Sequence, residues 1–208
     1  MQQGSPEWLA ARCGKVTASR VHDIVAVTRS GGYTSGRKNY LAELVTERLT
    51  GQPVPSYQSV AMAFGIEHEP EARFAYALAQ GVEIVEVGLI AHPTIAMAGA
   101  SPDGTIGSDG LIEIKVPNTA QHIETLLGSK IAPEYIDQMY FQMACTGRQY
   151  CDFVSYDPRL PEPMRLCIHR IQRDDNAIAK LETEVVQFLI DVDATVDLLR
   201  KRYMEKAA

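Results

Sequence analysis

The run GLIEIKVP, from Gly110 to Pro117, leaves few folding options open. It is rich in Ile and Val and Pro117 stops it, so it reads as a short strand. Strand side chains alternate between faces. Leu111, Glu113 and Lys115 therefore share one face, and Ile112, Ile114 and Val116 the other. The Ile/Val face belongs in a core, and the Glu/Lys face must meet something polar. Upstream, IAMAGASPDG reads as another strand running to Asp103, and TIGSDG carries the Gly and Asp of a hairpin turn. Pairing across that turn brings Asp103 close to Glu113. Two carboxylates held together repel each other. A divalent cation resolves the conflict, and Mg²⁺ favours one or two carboxylates with waters and substrate phosphate. Lys115 beside them can stabilise or deprotonate an attacking water, which suits phosphodiester hydrolysis. The bland alternative is a solvated strand face with a Glu–Lys pair, and the triplet alone is too loose a pattern to decide.

Helical patterns precede this β-rich stretch. GSPEW opens a short helix, with Ser5 as cap and Pro6 where a missing N–H costs nothing. TASRVHDIVA opens a second, with Thr17 as its cap. RKNYLAELVTERLTG reads as a helix closed by Gly51, with Leu41, Leu44, Val45 and Leu49 on its buried stripe. SVAMAFGIEHEPEARFAYALAQG is a longer helical stretch in which Pro70 predicts a kink or break near His68–Glu69. VEIVEVGLIAHP adds a strand. One helix, APEYIDQMYFQMACTG, is expected before two later strands, QYCDFVSYDP and PMRLCIHRIQR. DDNAIAKLETEVVQFLIDVDATVDLLRKRY closes the chain as an amphipathic helix, acidic at its start and basic at its end as the helix dipole prefers. No repeat, low-complexity tract or long linker interrupts the chain, so residues 1–208 are expected to form one domain.

Composition serves mainly to exclude. With 46% hydrophobic and 22% charged residues the chain can bury a substantial core. It has no stretch of about 18 apolar residues, so no membrane span is expected. MQQGSPEWLAARCGK lacks the pattern of a signal peptide. Cys13, Cys145, Cys151 and Cys167 show no C-x-x-C spacing, so reduced thiols in a cytoplasmic protein are expected, not a zinc or iron–sulfur site. The histidines show no paired ligand spacing. A net charge of −6 argues against nucleic acid only weakly, because a groove can be basic on an acidic protein.

Five ordered motifs, QGSPEWLAARCGKVTAS, FGIEHEPEAR, SPDG…GLIEIKVP, YIDQ and SYDPR, span nearly the whole chain. Together they resemble the PD-(D/E)xK nucleases, and within them the lambda exonuclease family, also called the YqaJ-type viral recombinase or phage alkaline exonuclease family. The resemblance implies an α/β, restriction-endonuclease-like core with a central mixed β-sheet flanked by helices. It implies that Asp103, Glu113 and the backbone carbonyl of Ile114 bind metal and that Lys115 positions or activates the water. Glu69 matches a helix carboxylate at a second metal position; read alone, it is an i,i+4 partner of Arg73. His68 beside it is a candidate for supporting that site. Gln138 matches a glutamine that reaches the scissile phosphate or the water, and Tyr135 and Gln142 share its helix face, Tyr135 as a DNA contact.

By the same resemblance, Arg12, Ser19 and Arg29 match a pocket for a 5′-terminal phosphate, to which a helix N-terminus would add free N–H groups. Without it, Thr17 and Ser19 merely cap and the arginines are surface charges. Met62 falls where the family places an apolar wedge against the terminal base pair; helical methionines are otherwise usually core. The implied activity is a Mg²⁺-dependent 5′→3′ exonuclease on double-stranded DNA, with two ions and Mn²⁺ as the other candidate. It would release mononucleotides and leave a 3′ single strand, in a bacterial or phage-infected cytoplasm. The family also implies a homotrimer around a channel and a single-strand annealing protein as partner. An endonuclease of the same fold and a non-catalytic DNA-end-binding module remain as alternatives.

Overall fold

The structure, a computed structural model, describes residues 1–55 and 59–204. The chain starts with α1 (Pro6–Arg12), β1 (Val16–Thr17), a 3-10 turn (Ala18–Arg20) and α2 (Val21–Val25). Two longer helices follow, α3 (Ser35–Thr50) and α4 (Val60–Gln80). Short strands β2 (Ile84–Val85), β3 (Ile90–Ala91), β4 (Ala98–Ala100) and β5 (Gly104–Ile106) lead into β6 (Gly110–Lys115). Then come α5 (Thr119–Leu126), α6 (Pro133–Thr146), β7 (Tyr150–Tyr156), β8 (Leu166–Gln172) and α7 (Asp175–Tyr203). The main sheet runs β2-β5-β6-β7-β8, and a small sheet runs β1-β4-β3. Only β6 and β7 pair parallel in the main sheet, so the mixed sheet expected from the sequence is present.

The parallel pair dictates the layering. A parallel connection needs a crossover, and α5 and α6 supply it. One sheet face, with Leu111, Cys151 and Phe153, packs under α6 together with α2, α3 and α7 in the larger core. The closing helix buries Ile178, Leu181, Val185, Phe188, Leu189, Val192 and Val196, a helical three-and-four spacing. The other face, with Ile112, Ile114 and Val154, packs against Ala72 and Tyr76 of α4 in a second cluster. Tyr76 donates its hydroxyl proton to buried Asp152 at 2.5 Å, and Arg170 clamps the same carboxylate at 2.8 Å, which pins α4 to the sheet.

Several expectations need correction. IAMAGASPDG does not run as one strand to Asp103: β4 joins the small sheet, Pro102 interrupts, and β5, which starts at Gly104 and continues into TIGSDG, joins the main one. VEIVEVGLIAHP likewise divides into β2 and β3. The hairpin turn is shorter than TIGSDG, because Thr105 and Ile106 pair with Leu111 and Gly110. Thr17 caps nothing with its side chain; it lies in β1, and the expected helix begins as a 3-10 turn. Pro70 does not break α4. Its missing N–H leaves the Ile66 carbonyl unpaired on an exposed face, where water can satisfy it. A second helix, α5, lies between β6 and β7, capped by Asn118 Oδ1 on the Gln121 N–H at 3.0 Å. Its eight residues start two positions after Pro117 and carry too little periodicity to stand out. Gly51 and Gly147 close α3 and α6 in the left-handed conformation. All four cysteines are free, and among the described residues no helix is long and apolar enough to cross a membrane.

Gly104 faces Ile112 across the hairpin, and a Cβ there would collide with the side chain of Ile84 and press on that of Ile112. Gly104→Ala should therefore destabilise the fold by about 1–3 kcal/mol, measured by urea denaturation. His92 gives a pH-dependent prediction. Its buried ring accepts the N–H groups of Thr94 (3.3 Å) and Ile95 (3.1 Å) at Nδ1, so Nε2 carries the proton and donates to Glu182 at 3.0 Å. Burial lowers its pKa, with Glu182 opposing. The unfolded chain, with an ordinary imidazole at about 6.5, therefore takes up the proton first as pH falls, and stability drops below that pH. His92→Gln should flatten the loss between neutral and mildly acidic denaturation curves.

Candidate active site

The β5–β6 hairpin places the acidic pair. Gly104 pairs with Ile112, so Asp103 comes opposite Glu113 just beyond the last ladder pair. There β6 has no strand partner on that edge, and Asp103 Oδ2 accepts the free Ile114 N–H at 2.6 Å. In a strand the N–H and C=O of one residue face the same edge, so the Ile114 carbonyl turns to the same unpaired side. This brings the two carboxylates and the carbonyl to one place at the end of the β5–β6 ladder.

Glu113 is only 2% exposed, on the sheet face covered by α6. That face is not the solvated one the alternation alone suggested, and α6 supplies its polar partners. Gln138 Nε2 donates to Glu113 Oε1 at 2.7 Å, and Gln142 Nε2 donates to Oε2 at 2.6 Å. Lys115 Nζ reaches Glu113 Oε1 at 2.6 Å and lies 4.9 Å from the ring centroid of Tyr135, which stacks on Phe153. Tyr135 thus forms the floor beneath the ammonium. Burial acts to lower the Lys115 pKa, but Glu113 and Asp103 more than offset it and hold the group protonated. Burial, Glu113 and Glu69 push the Asp103 carboxyl well above the usual carboxylate range.

These residues fit a divalent cation. Burial and the neighbouring carboxylates together disfavour the ionised form of Asp103, and a cation between Asp103, Glu113 and the Ile114 carbonyl would favour it. The second position is less complete. Glu69 is close enough to raise the Asp103 pKa, yet its carboxylate is ion-paired with Arg73, its i,i+4 neighbour, which also reaches Glu86 at 3.2 Å. Among the described residues no three His, Cys, Asp or Glu side chains converge on a metal position. His68 turns to Glu71 (3.2 Å) and Phe64, away from the centre.

The expected phosphate pocket is partly assembled. A cavity of about 170 Å³ is lined by Trp8, Arg12, Thr17 and Ser19 together with Asp103, Glu113, Lys115, Gln138 and Gln142. Arg12 has no carboxylate partner among the described residues; its one hydrogen bond runs to Thr17 Oγ1 at 3.4 Å. Arg29 does not join it: it sits in an exposed turn after α2. Arg20 lies nearer, in the neighbouring cavity, but Asp23 (2.6 Å) and Glu43 (2.9 Å) neutralise it. The short 3-10 turn and five-residue α2 offer no helix N-terminus of the expected kind. Met62 is 52% exposed, not core, and lines both that cavity and the groove beside Glu69, Lys115 and Tyr135. Two residues on the anion side were not foreseen, Lys15 and Trp8. Trp8 could have been found from its i,i+4 spacing to Arg12.

The sequence and fold have known counterparts. Residues 7–149 match the YqaJ-like viral recombinase domain. An alkaline exonuclease from Laribacter hongkongensis is 54% identical, over 98% of this chain and 100% of that one, with a TM-score of 0.89. The structure of that exonuclease in complex with dAMP gives 52% identity over the same shares and a TM-score of 0.90. A phage-related exonuclease from Haemophilus somnus shares the fold at 18% identity, with a TM-score of 0.68 over 89% of this chain and 96% of that one. Among curated proteins, none matches the chain by sequence. With a family match over more than half its length and a closely similar exonuclease along nearly all of it, the chain belongs to the YqaJ-like viral recombinase family and is a DNA nuclease with a restriction-endonuclease-like core.

Proposed function

We propose that the protein is a Mg²⁺-dependent exonuclease that digests double-stranded DNA 5′→3′ from 5′-phosphorylated ends. It releases 5′-mononucleotides and leaves a 3′ single strand for phage-type recombination. One observation carries this reading: the unpaired Arg12 guanidinium lines the same cavity as Asp103, Glu113, Lys115 and Gln138. A half-buried guanidinium without a carboxylate suits an anion. The dAMP held by the Laribacter hongkongensis exonuclease is a mononucleotide, the class of product expected here.

A cation bound by Asp103, Glu113 and the Ile114 carbonyl would supply Lewis-acid polarisation of the scissile phosphate. Glu69 would complete a second position on leaving Arg73. Arg12, with the hydroxyls of Thr17 and Ser19, holds the terminal phosphate. Lys115 donates to the attacking water or to a phosphoryl oxygen. Gln138 and Gln142 hold Glu113 in place, and Gln138 would also steady the attacking water. Water attacks phosphorus, the P–O3′ bond breaks, and the released nucleotide's 3′ oxygen gains a proton. The strand left behind again ends in a 5′-phosphate, so each product end is the ligand for the next turn. Met62, exposed at the mouth, would press on the terminal base pair.

A homotrimer agrees with an apolar stripe on α4, where Ile66, Phe74 and Leu78 are 61%, 71% and 74% exposed at four-residue multiples. Light scattering should then give about three times the 22.9 kDa chain mass. The annealing-protein partner follows from the family alone.

The test is a digestion with Mg²⁺ of linear duplex labelled separately on each strand, beside closed circular DNA. Mononucleotides from the 5′-ended strands with the circle intact are expected; a nicked circle would indicate an endonuclease instead. Lys115→Ala should cut kcat by roughly 10²–10³-fold while DNA binding persists, and near-normal turnover would overturn the mechanism. Arg12→Ala should lower the kcat/KM preference for 5′-phosphate over 5′-hydroxyl ends by about tenfold or more. An unchanged ratio would remove Arg12 from the pocket.

A further inference from the structure

Helix α1 has seven residues and buries none of them fully, so the core does little to hold it. Polar links to the β2–β3 loop and to the loop before β5 hold it instead. Gln3 Nε2 donates to the carbonyls of Val87 (3.1 Å) and Pro102 (2.9 Å). Trp8 Nε1 donates to Ser101 Oγ at 3.0 Å. The face of the same indole carries Arg12, whose guanidinium carbon lies 3.9 Å from the ring centroid. Stacking shields one face of a guanidinium and leaves its N–H edge free. That edge is the part of Arg12 without a carboxylate partner, and Trp8 lines the cavity it opens on.

We propose that Trp8 is a positioning residue that holds Arg12 ready for the terminal phosphate and, through Ser101, fixes that grip relative to Asp103. Ser101, Pro102 and Asp103 are consecutive, and the proline ring restricts the backbone between them. The anion grip and the metal-binding carboxylate are therefore separated by one stack, one hydrogen bond and a stiff three-residue segment. This spacing selects the first phosphodiester bond for cleavage. The inference rests on the 5′-phosphate reading above and adds how the grip is aimed.

Two variants divide the stack from the link. Trp8→Leu removes both, while Trp8→Phe keeps an aromatic face and loses only the N–H. The kcat/KM ratio for 5′-phosphorylated over 5′-hydroxyl duplexes of one sequence should fall by about tenfold in Trp8→Leu and be largely restored in Trp8→Phe. Ser101→Ala, which breaks the link from the other side, should share with Trp8→Phe a lowered kcat and an unchanged KM on phosphorylated ends. Trp8 is the chain's one tryptophan, so wild-type emission reports the stack without any variant. In EDTA, where hydrolysis is stopped, a 5′-phosphorylated duplex should change that emission more than a 5′-hydroxyl duplex does. A wild-type end preference in folded Trp8→Leu, or equal emission changes with both duplexes, would overturn the stack. A wild-type kcat in Ser101→Ala would overturn the link. A wild-type enzyme indifferent to the 5′-phosphate would instead defeat the pocket itself, and this inference with it.

Discussion

Everything at the active site depends on keeping a carboxylate, Glu113, inside the larger core. Burying an ionised carboxylate alone costs several kcal/mol even after relaxation. Three donors offset that cost: the amides of Gln138 and Gln142, one on each oxygen, and the Lys115 ammonium. They come from a strand and from the crossover helix laid across it, so the parallel β6–β7 connection is also what completes the site. Asp103 is held differently, by the Ile114 N–H, which is free because β5 begins only at Gly104, opposite Ile112. The site is thus built at a defect in the sheet, where one strand stops and its neighbour continues.

The charge distribution reconciles an acidic chain with a polyanionic substrate. Arg20, Arg37, Arg48, Arg73, Arg159, Arg170 and Arg173 are each paired with a carboxylate. Arg12 and Lys15 are not so paired among the described residues, and both line the cavities beside the carboxylate pair. Net charge of −6 reports the sum; binding responds to the local field, and along these cavities Arg12, Lys15, Arg20 and Lys115 stand against Glu43, Glu47, Asp103 and Glu113, a balance far less acidic than the whole chain.

Much of the fold was legible because it is written in short-range patterns. The ends of α1 and α3, the stripe of α7 and the alternation of β6 are each set by residues within a turn or two. The misreadings share a cause. β4 and β5 are three residues each, too short for alternation to separate, and they belong to different sheets. Thr17 has a capping residue's chemistry, yet its parallel pairing with Gly99, far off in sequence, draws it into β1. Arg29 carries the right charge, but the turn after α2 leads it away from the cavity.

Sequence by itself determined which groups exist and which share a face: Asp103 across from Glu113, Lys115 beside it, Gln138 one helical turn from Gln142. Those relations follow from strand and helix periods, which are local. Tertiary structure alone decided that α6 lies over the Glu113 face and that Trp8 bridges Arg12 to the Asp103 loop. Each of those contacts joins elements whose relative placement comes from burying two separate apolar faces at once. No local period encodes that, because packing is a property of the closed core and not of any one segment.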